Sequence, residues 1–151
     1  MDQLPPGVRP SATALSFPGG AEPDGRSVAA SWERCLAQHG LSRESVLRPT
    51  VLTAVEIQDH REPVADLLAM SQGEVQRLFE ILAEQDYVVM LTDPEGVALG
   101  FRSTQSVLDA CSNAGVLPGS MWAEDMQGTN GVALCIREQR PLSVVINGFP
   151  F

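Results

Sequence analysis

The sequence predicts an α+β domain with a central antiparallel sheet and flanking helices. Three observations carry this. The first half holds apolar residues at helical spacing. The middle switches abruptly to a β-branched run, Tyr87-Val88-Val89-Met90-Leu91-Thr92, followed by a turn and a second short apolar run. The last third returns to short helical patterns around a Gly-Thr-Asn-Gly segment and closes on another β-rich stretch.

Residues 1–25 are rich in Pro, Gly, Ser and Ala and show no hydrophobic period, so a flexible leader is expected. From Arg26 to His39 the residues Val28, Trp32, Cys35, Leu36 and His39 fall on one helical face, and Gly40 is placed to end the helix. A short polar connection leads to Pro49. A second helical region spans Val51 to Glu84, with a break expected near Pro63. Its apolar positions are Val64, Leu67, Leu68, Val75, Leu78, Phe79 and Leu82, and Ser71 and Gly73 suggest a bend. Glu74, Arg77, Glu80 and Glu84 fill the gaps as a solvated face or as the flank of a dimeric helix pair. These limits divide the chain into the leader, an N-terminal helical segment at 26–62 and a sheet-bearing domain at 63–151.

Tyr87–Thr92 and Val97–Phe101 read as a β-hairpin joined by Asp93-Pro94-Glu95-Gly96, with Pro and Gly at the second and fourth turn positions. Ser103–Cys111 reads as a helix with Val107 and Leu108 inward, and 113–120 as a loop. A helix from about Thr129 to Glu138 and a strand Pro141–Ile146 complete the pattern.

Net charge is −9 over 151 residues, from 19 acidic and ten basic side chains that are scattered rather than grouped. That balance disfavours direct contact with nucleic acid or with anionic membrane surfaces. No apolar run reaches membrane-spanning length, and no secretory signal opens the chain. Three cysteines, Cys35, Cys111 and Cys135, lie far apart and outside any Cys-x-x-Cys. A cytoplasmic chain with reduced thiols is expected. His39 and His60 lack Cys or His partners at metal-ligand spacing. No phosphate-cradling Gly-Lys loop or local catalytic triad is present in the sequence, so neither metal nor cofactor is expected.

The segment from Met121 to Gly131 concentrates the chemistry. Trp122, the carboxylates Glu124 and Asp125, and Gly128-Thr129-Asn130-Gly131 fall within eleven residues. Thr129 or Asn130 can cap the following helix. Two readings follow from the residues: a tight turn before a capped helix with Trp122 as a core plug, or a loop that holds a ligand against the helix N-terminus. Trp122, flanked by Met121 and Met126, is expected to be largely buried with its N–H bonded. Glu124 and Asp125 read as an exposed pair. On the ligand reading, Trp122, Glu124, Gly128, Thr129 and Asn130 bind a small neutral oxygen-bearing metabolite. The two carboxylates disfavour a strong anion unless they point away or pair with Arg102, Arg137 or Arg140.

Four separated motifs add a resemblance. Ser31-Trp32-Glu33-Arg34-Cys35-Leu36 with His39-Gly40-Leu41 resembles an S-W-x-R-C-x-x-x-H-G-L opening. Leu91-Thr92-Asp93-Pro94-Glu95-Gly96-Val97 resembles an L-T-D-x-x-G-x hairpin. Gly119, Trp122, Glu124 and Gly128-Thr129-Asn130-Gly131 resemble G-x-x-W-x-E-x-x-x-G-T-N-A/G, and Arg140-Pro141-Leu142 a strand-opening R-P. In this order they resemble the N-terminal GAF sensory domain of acetoin-catabolism-type, sigma-54-dependent transcriptional activators, over roughly 26–146. Ala133-Leu134-Cys135-Ile136 replaces the usual G-T-A-L, and Asn147-Gly148-Phe149-Pro150-Phe151 stands where that family has a charged, His-containing segment.

The resemblance implies a GAF-like central antiparallel sheet lacking its C-terminal hairpin and helix, without the ATPase and helix-turn-helix domains of such activators. It implies a small-molecule sensor that neither binds DNA nor hydrolyses ATP by itself. A homodimer is expected through the N-terminal helices or through an unpaired edge at Leu142, Val144 and Ile146. The alternatives are a non-sensing dimerisation or interaction module and, through its cysteines, a thiol-dependent methionine sulfoxide reductase of GAF type.

Overall fold

The structure is a computed structural model that describes residues 25–42, 49–82 and 87–142. The expected leader before Gly25, the polar connection at 43–48 and positions 143–146 of the expected last strand lie outside the described residues. Helices dominate, and the sheet among the described residues is a two-stranded antiparallel hairpin. The α+β class expected from the sequence is therefore observed.

Helix α1 is Gly25–Ala37. Its sheltered line is Ser31 and Cys35, four residues apart, whereas Leu36 is 54% exposed. Hydrophobic spacing alone turned this helix too far toward Leu36. The deciding contact is polar, because Ser31 reaches partners on the far side of the fold.

Helix α2, Ala54–Arg61, opens on a capping box. The Thr53 side chain accepts from the Glu56 amide, and the Glu56 carboxylate accepts from the Thr53 amide at 2.7 Å. A 3₁₀ turn at Glu62–Val64 carries Pro63 and leads directly into α3, Ala65–Leu82. The break expected at Pro63 is thus present. At Ser71 and Gly73, where a bend was suggested, α3 runs on as one helix rather than splitting into two. Half-buried Val64, Leu68, Val75, Phe79 and Leu82 form the inward face of this region. Leu67 and Leu78, expected inward, are 64% and 39% exposed and join Met70 and Ile81 on an outer stripe.

The hairpin pairs β1, Val89–Thr92, with β2, Ala98–Arg102, in the expected antiparallel sense. At its turn the Gly96 amide donates to the Asp93 carbonyl at 3.1 Å, and Asp93 Oδ1 accepts from the amides of Glu95 and Val97. The register slips by one residue: Leu91 pairs with Gly100, and Thr92 with Ala98. Leu99 is the extra residue of this bulge. Its side chain is buried, and its carbonyl accepts from Arg61 Nη2 at 2.7 Å. The bulge thereby fastens α2 to the sheet.

Helix α4, Gln105–Ala114, runs three residues past its expected end and stops at Gly115. The stretch expected as a loop at 113–120 instead finishes as extended chain bonded on both sides. Leu52 and Met121 donate to Gly119 and Thr50 on one side, while Gly119, Ala98 and Trp122 donate to Ala98, Ser120 and Gly96 on the other. Bridges Val51–Ser120 and Val97–Met121 mark this segment. Helices α5, Glu124–Gln127, and α6, Gly131–Glu138, follow. The core gathers here, around fully buried Val97, Leu134, Ser31 and Ser120.

Gly119 shows why this threading is exacting. Its φ is +85°, and a Cβ there would come within 2.5 Å of Ile57 Cδ1 and 3.2 Å of the Leu52 carbonyl. Gly73 is the opposite case, helical and exposed, with open space around it. Chemical denaturation of Gly119→Ala is expected to show a loss of at least about 1–3 kcal/mol, whereas Gly73→Ala gains about 0.5–1 kcal/mol. A Gly119→Ala variant as stable as the parent would contradict this packing.

Candidate functional site

Of the five residues singled out in the Trp122–Asn130 stretch, Glu124 and Thr129 meet α1, while Trp122, Gly128 and Asn130 bond within the loop and its neighbouring extended segment. Glu124 opens α5 and turns its carboxylate into α1, where its side chain is only 11% exposed. Arg34 grips it with two bonds, Nε to Oε2 at 2.8 Å and Nη2 to Oε1 at 2.7 Å. This fork geometry is the strongest form of a carboxylate bond. Ser31 Oγ donates to the same Oε1. His39 Nε2 lies 3.8 Å from Oε2. Buried Thr129 meets Ser31 Oγ at 2.8 Å and Cys35 Sγ at 3.7 Å.

Asn130 is the N-cap of α6, which settles the choice between it and Thr129. Its Oδ1 accepts from the Ala133 amide at 2.9 Å, and its Nδ2 donates to the Trp122 and Gly128 carbonyls at 3.0 Å each. Gly128 is buried at φ +67°, with its amide on the Glu124 carbonyl. Trp122 is half-buried rather than fully enclosed, and its indole N–H donates to buried Ser120 Oγ at 2.8 Å. Among the described residues no buried side-chain polar atom lacks a partner.

Two sequence expectations change. Glu124 and Asp125 are not an exposed pair: Asp125 is exposed, but Glu124 is sheltered. The base that holds Glu124 is Arg34, some ninety residues upstream, rather than Arg102, Arg137 or Arg140. Arg140 instead binds Glu138 at 2.6 Å and Ser27 Oγ at 3.2 Å, adding a second tie from the end of α6 to α1. Ser31 and Arg34 were not singled out as site residues. The available signal was that the S-W-x-R-C and W-x-E-x-x-x-G-T-N motifs occur in one chain.

Burial works to raise the Glu124 carboxyl, but the Arg34 and Ser31 bonds outweigh it and hold the group below its ordinary value of 4.5. The Arg34 guanidinium is raised in turn, chiefly by its bond to Glu124.

A second polar junction joins α2 to the hairpin. His60 Nδ1 meets Asp93 Oδ2 at 2.7 Å, with the exposed Glu95 carboxylate 3.9 Å away. No group of three His, Cys, Asp or Glu among the described residues is placed to hold a metal. The cysteines occupy separate helices: Cys35 is buried in α1, Cys111 partly buried in α4, and Cys135 exposed on α6. Burial pushes the Cys111 thiol up, the reverse of what activates a thiolate.

No family model matches the sequence. The acetoin catabolism regulatory protein of Cupriavidus necator is 29% identical over 114 residues, which are 76% of this chain and 17% of that protein. The chain resembles part of a regulatory protein. The resemblance to an acetoin-catabolism regulator read from the motifs therefore stands, and the chain spans about a sixth of that relative's length. A chain in the crystal structure of the E. coli DhaR(N)–DhaL complex matches at a TM-score of 0.67 and 22% identity, over 74% of this chain and 38% of that one. That likeness is one of fold. No described helix is long and apolar enough to cross a membrane.

A carboxyl held low contributes stability that is complete above its unfolded value and is lost as pH falls through its folded value. Glu124→Gln should therefore cost about 1–3 kcal/mol near neutrality. The difference from the parent should shrink as pH falls below 4.5. Urea unfolding at a series of pH values checks this, and a difference that does not depend on pH would remove the charge from the account.

Proposed function

We propose that the chain is the small-molecule-sensing region of a longer bacterial transcriptional regulator, a GAF-type sensor of the sigma-54-dependent class. On this reading it neither binds DNA nor hydrolyses ATP by itself, and it works in the cytoplasm. The observation that carries the proposal is the junction of α1 with the Glu124–Asn130 segment. It ties the start of the described chain to the loop by polar bonds, of which those made by the Ser31 hydroxyl can be taken over by a ligand hydroxyl. The name of the Cupriavidus necator relative supports a regulatory role connected with a small oxygenated compound.

In this reading Trp122, Glu124, Gly128, Thr129 and Asn130 bind a small neutral oxygen-bearing metabolite. Thr129 and the Glu124 carboxylate offer a hydroxyl and acceptors, Trp122 an apolar wall, and Asn130 the frame of the loop. A neutral hydroxyl group exchanges with Ser31 Oγ, donating to Glu124 as Ser31 does, without leaving a buried charge unpaired, which an anion beside Glu124 would not do. Ligand binding loosens α1 and passes the signal through it.

Calorimetry and thermal shift with acetoin and a panel of small ketones and diols test the proposal. Saturable one-site binding is expected. Asn130→Ala should weaken it by about 1–3 kcal/mol, and Glu80→Ala on exposed α3 should leave it unchanged. Hydrogen exchange should rise along α1 when ligand is added. Binding that ignores Asn130 would place the site elsewhere.

The alternative of a non-sensing dimerisation or interaction module draws on one observation, the outer stripe of α3. Leu67, Met70, Leu78 and Ile81 are 64%, 80%, 39% and 66% exposed. A homodimer through this stripe would appear in sedimentation at tens of micromolar as a concentration-dependent doubling of mass, abolished by Met70→Glu. A clean monomer across that range removes the reading.

A further inference from the structure

We infer that a second small-molecule site, for a compact carboxylate with an apolar body, lies between α2, α3 and the hairpin. A cavity of about 330 Å³ opens there. That is within the range of small-molecule sites. It lies on the α3 side of the sheet, and none of Trp122, Glu124, Gly128, Thr129 or Asn130 lines it.

The charge on its described wall is one-sided. Leu68, Val75, Leu91 and Leu99 supply apolar surface, and Arg61 and Arg102 supply two guanidinium groups. Among the described residues no Asp or Glu lines the cavity. Neither arginine has a carboxylate within ion-pair distance among the described residues. In a chain of net charge −9 with 19 acidic side chains, two such cations line one cavity.

Both arginines are oriented, and both have donors to spare. Arg61 gives Nη2 to the Leu99 carbonyl at the bulge. Arg102 gives Nη1 to the Phe101 carbonyl at 2.9 Å and Nη2 to Gln72 Oε1 at 3.0 Å. A guanidinium carries five N–H donors in a rigid fork. Fixing part of the fork to backbone and amide oxygens pre-orients the remainder for a bidentate anion. Gly100, paired with Leu91, leaves the hairpin side of the cavity without a side chain at that position. A carboxylate matches the cations and a short hydrocarbon body matches the leucines and valine. Inorganic phosphate satisfies only the first.

Calorimetry on the full chain with butyrate and benzoate, their uncharged amides butyramide and benzamide, and inorganic phosphate tests the site. At least one carboxylate should bind saturably at one site with a Kd below about 1 mM. Its amide should bind at least tenfold more weakly, and phosphate should not compete. Arg102→Gln should lower carboxylate affinity about tenfold with the melting temperature within a few degrees of the parent, and Arg102→Lys, which keeps the charge but not the fork, should recover only part of it. Asn130→Ala should leave carboxylate affinity unchanged, which separates this site from the neutral-metabolite site proposed above. A failed ketone and diol panel leaves this inference intact. It is overturned if neither carboxylate binds, if an amide binds as well as its acid, if phosphate competes, or if Arg102→Gln binds with full affinity.

Discussion

The rest of the structure depends on one buried-edge carboxylate, Glu124. It receives Arg34 through two bonds and Ser31 through a third, and it sits one helical turn from the buried Gly128–Thr129 pair. Helix α1 has little else of comparable strength. Its sheltered residues are a serine and a cysteine rather than large aliphatic groups, and Leu36 faces outward. A helix seated through charge and hydroxyl groups has one permitted rotation and register, because the fork of Arg34 fits Glu124 in one orientation. An apolar face would tolerate sliding. The same junction costs stability when one partner alone is lost, since the other stays sheltered and unpaired.

Asp93 does comparable work at the opposite junction. One carboxylate oxygen closes the hairpin turn by accepting two amides, and the other meets His60 of α2. Next to it, the Leu99 bulge directs a carbonyl to Arg61 of the same helix. The hairpin and α2 are therefore joined by two side chains one residue apart, His60 and Arg61. The extended segment around Ser120 links the two junctions, since it bonds to both the Thr50–Leu52 stretch and the hairpin before leading into Trp122 and Glu124. The α1–Glu124 junction is thus continuous with the sheet through backbone hydrogen bonds.

Much of the local structure was legible in the residues. The β-branched run and Asp93-Pro94-Glu95-Gly96 specify a hairpin, Pro63 a break, and the Gly-Thr-Asn-Gly segment a capped helix start. Each of these signals acts over four to six residues, where backbone preference and turn chemistry decide. The short helix α5 and the extended segment at 119–122 carried no such signal. Four residues are too few for a period, and an isolated extended segment with two bridges shows no alternation.

By itself, the sequence determined the class of the fold, the place of the hairpin and the order of its helices, because propensity and periodicity are properties of consecutive residues. It also supplied the motif residues Ser31, Arg34, Glu124 and Thr129 without their relation. Only the tertiary structure decided that these four meet, that Leu36 faces out, and that Arg61 and Arg102 share a cavity. The physical reason is separation along the chain. Ser31 and Thr129 lie nearly a hundred positions apart, and no local preference carries information over that distance. Their pairing is fixed by the threading of Gly119, which holds the segment that leads to Glu124 close against Ile57 and Leu52.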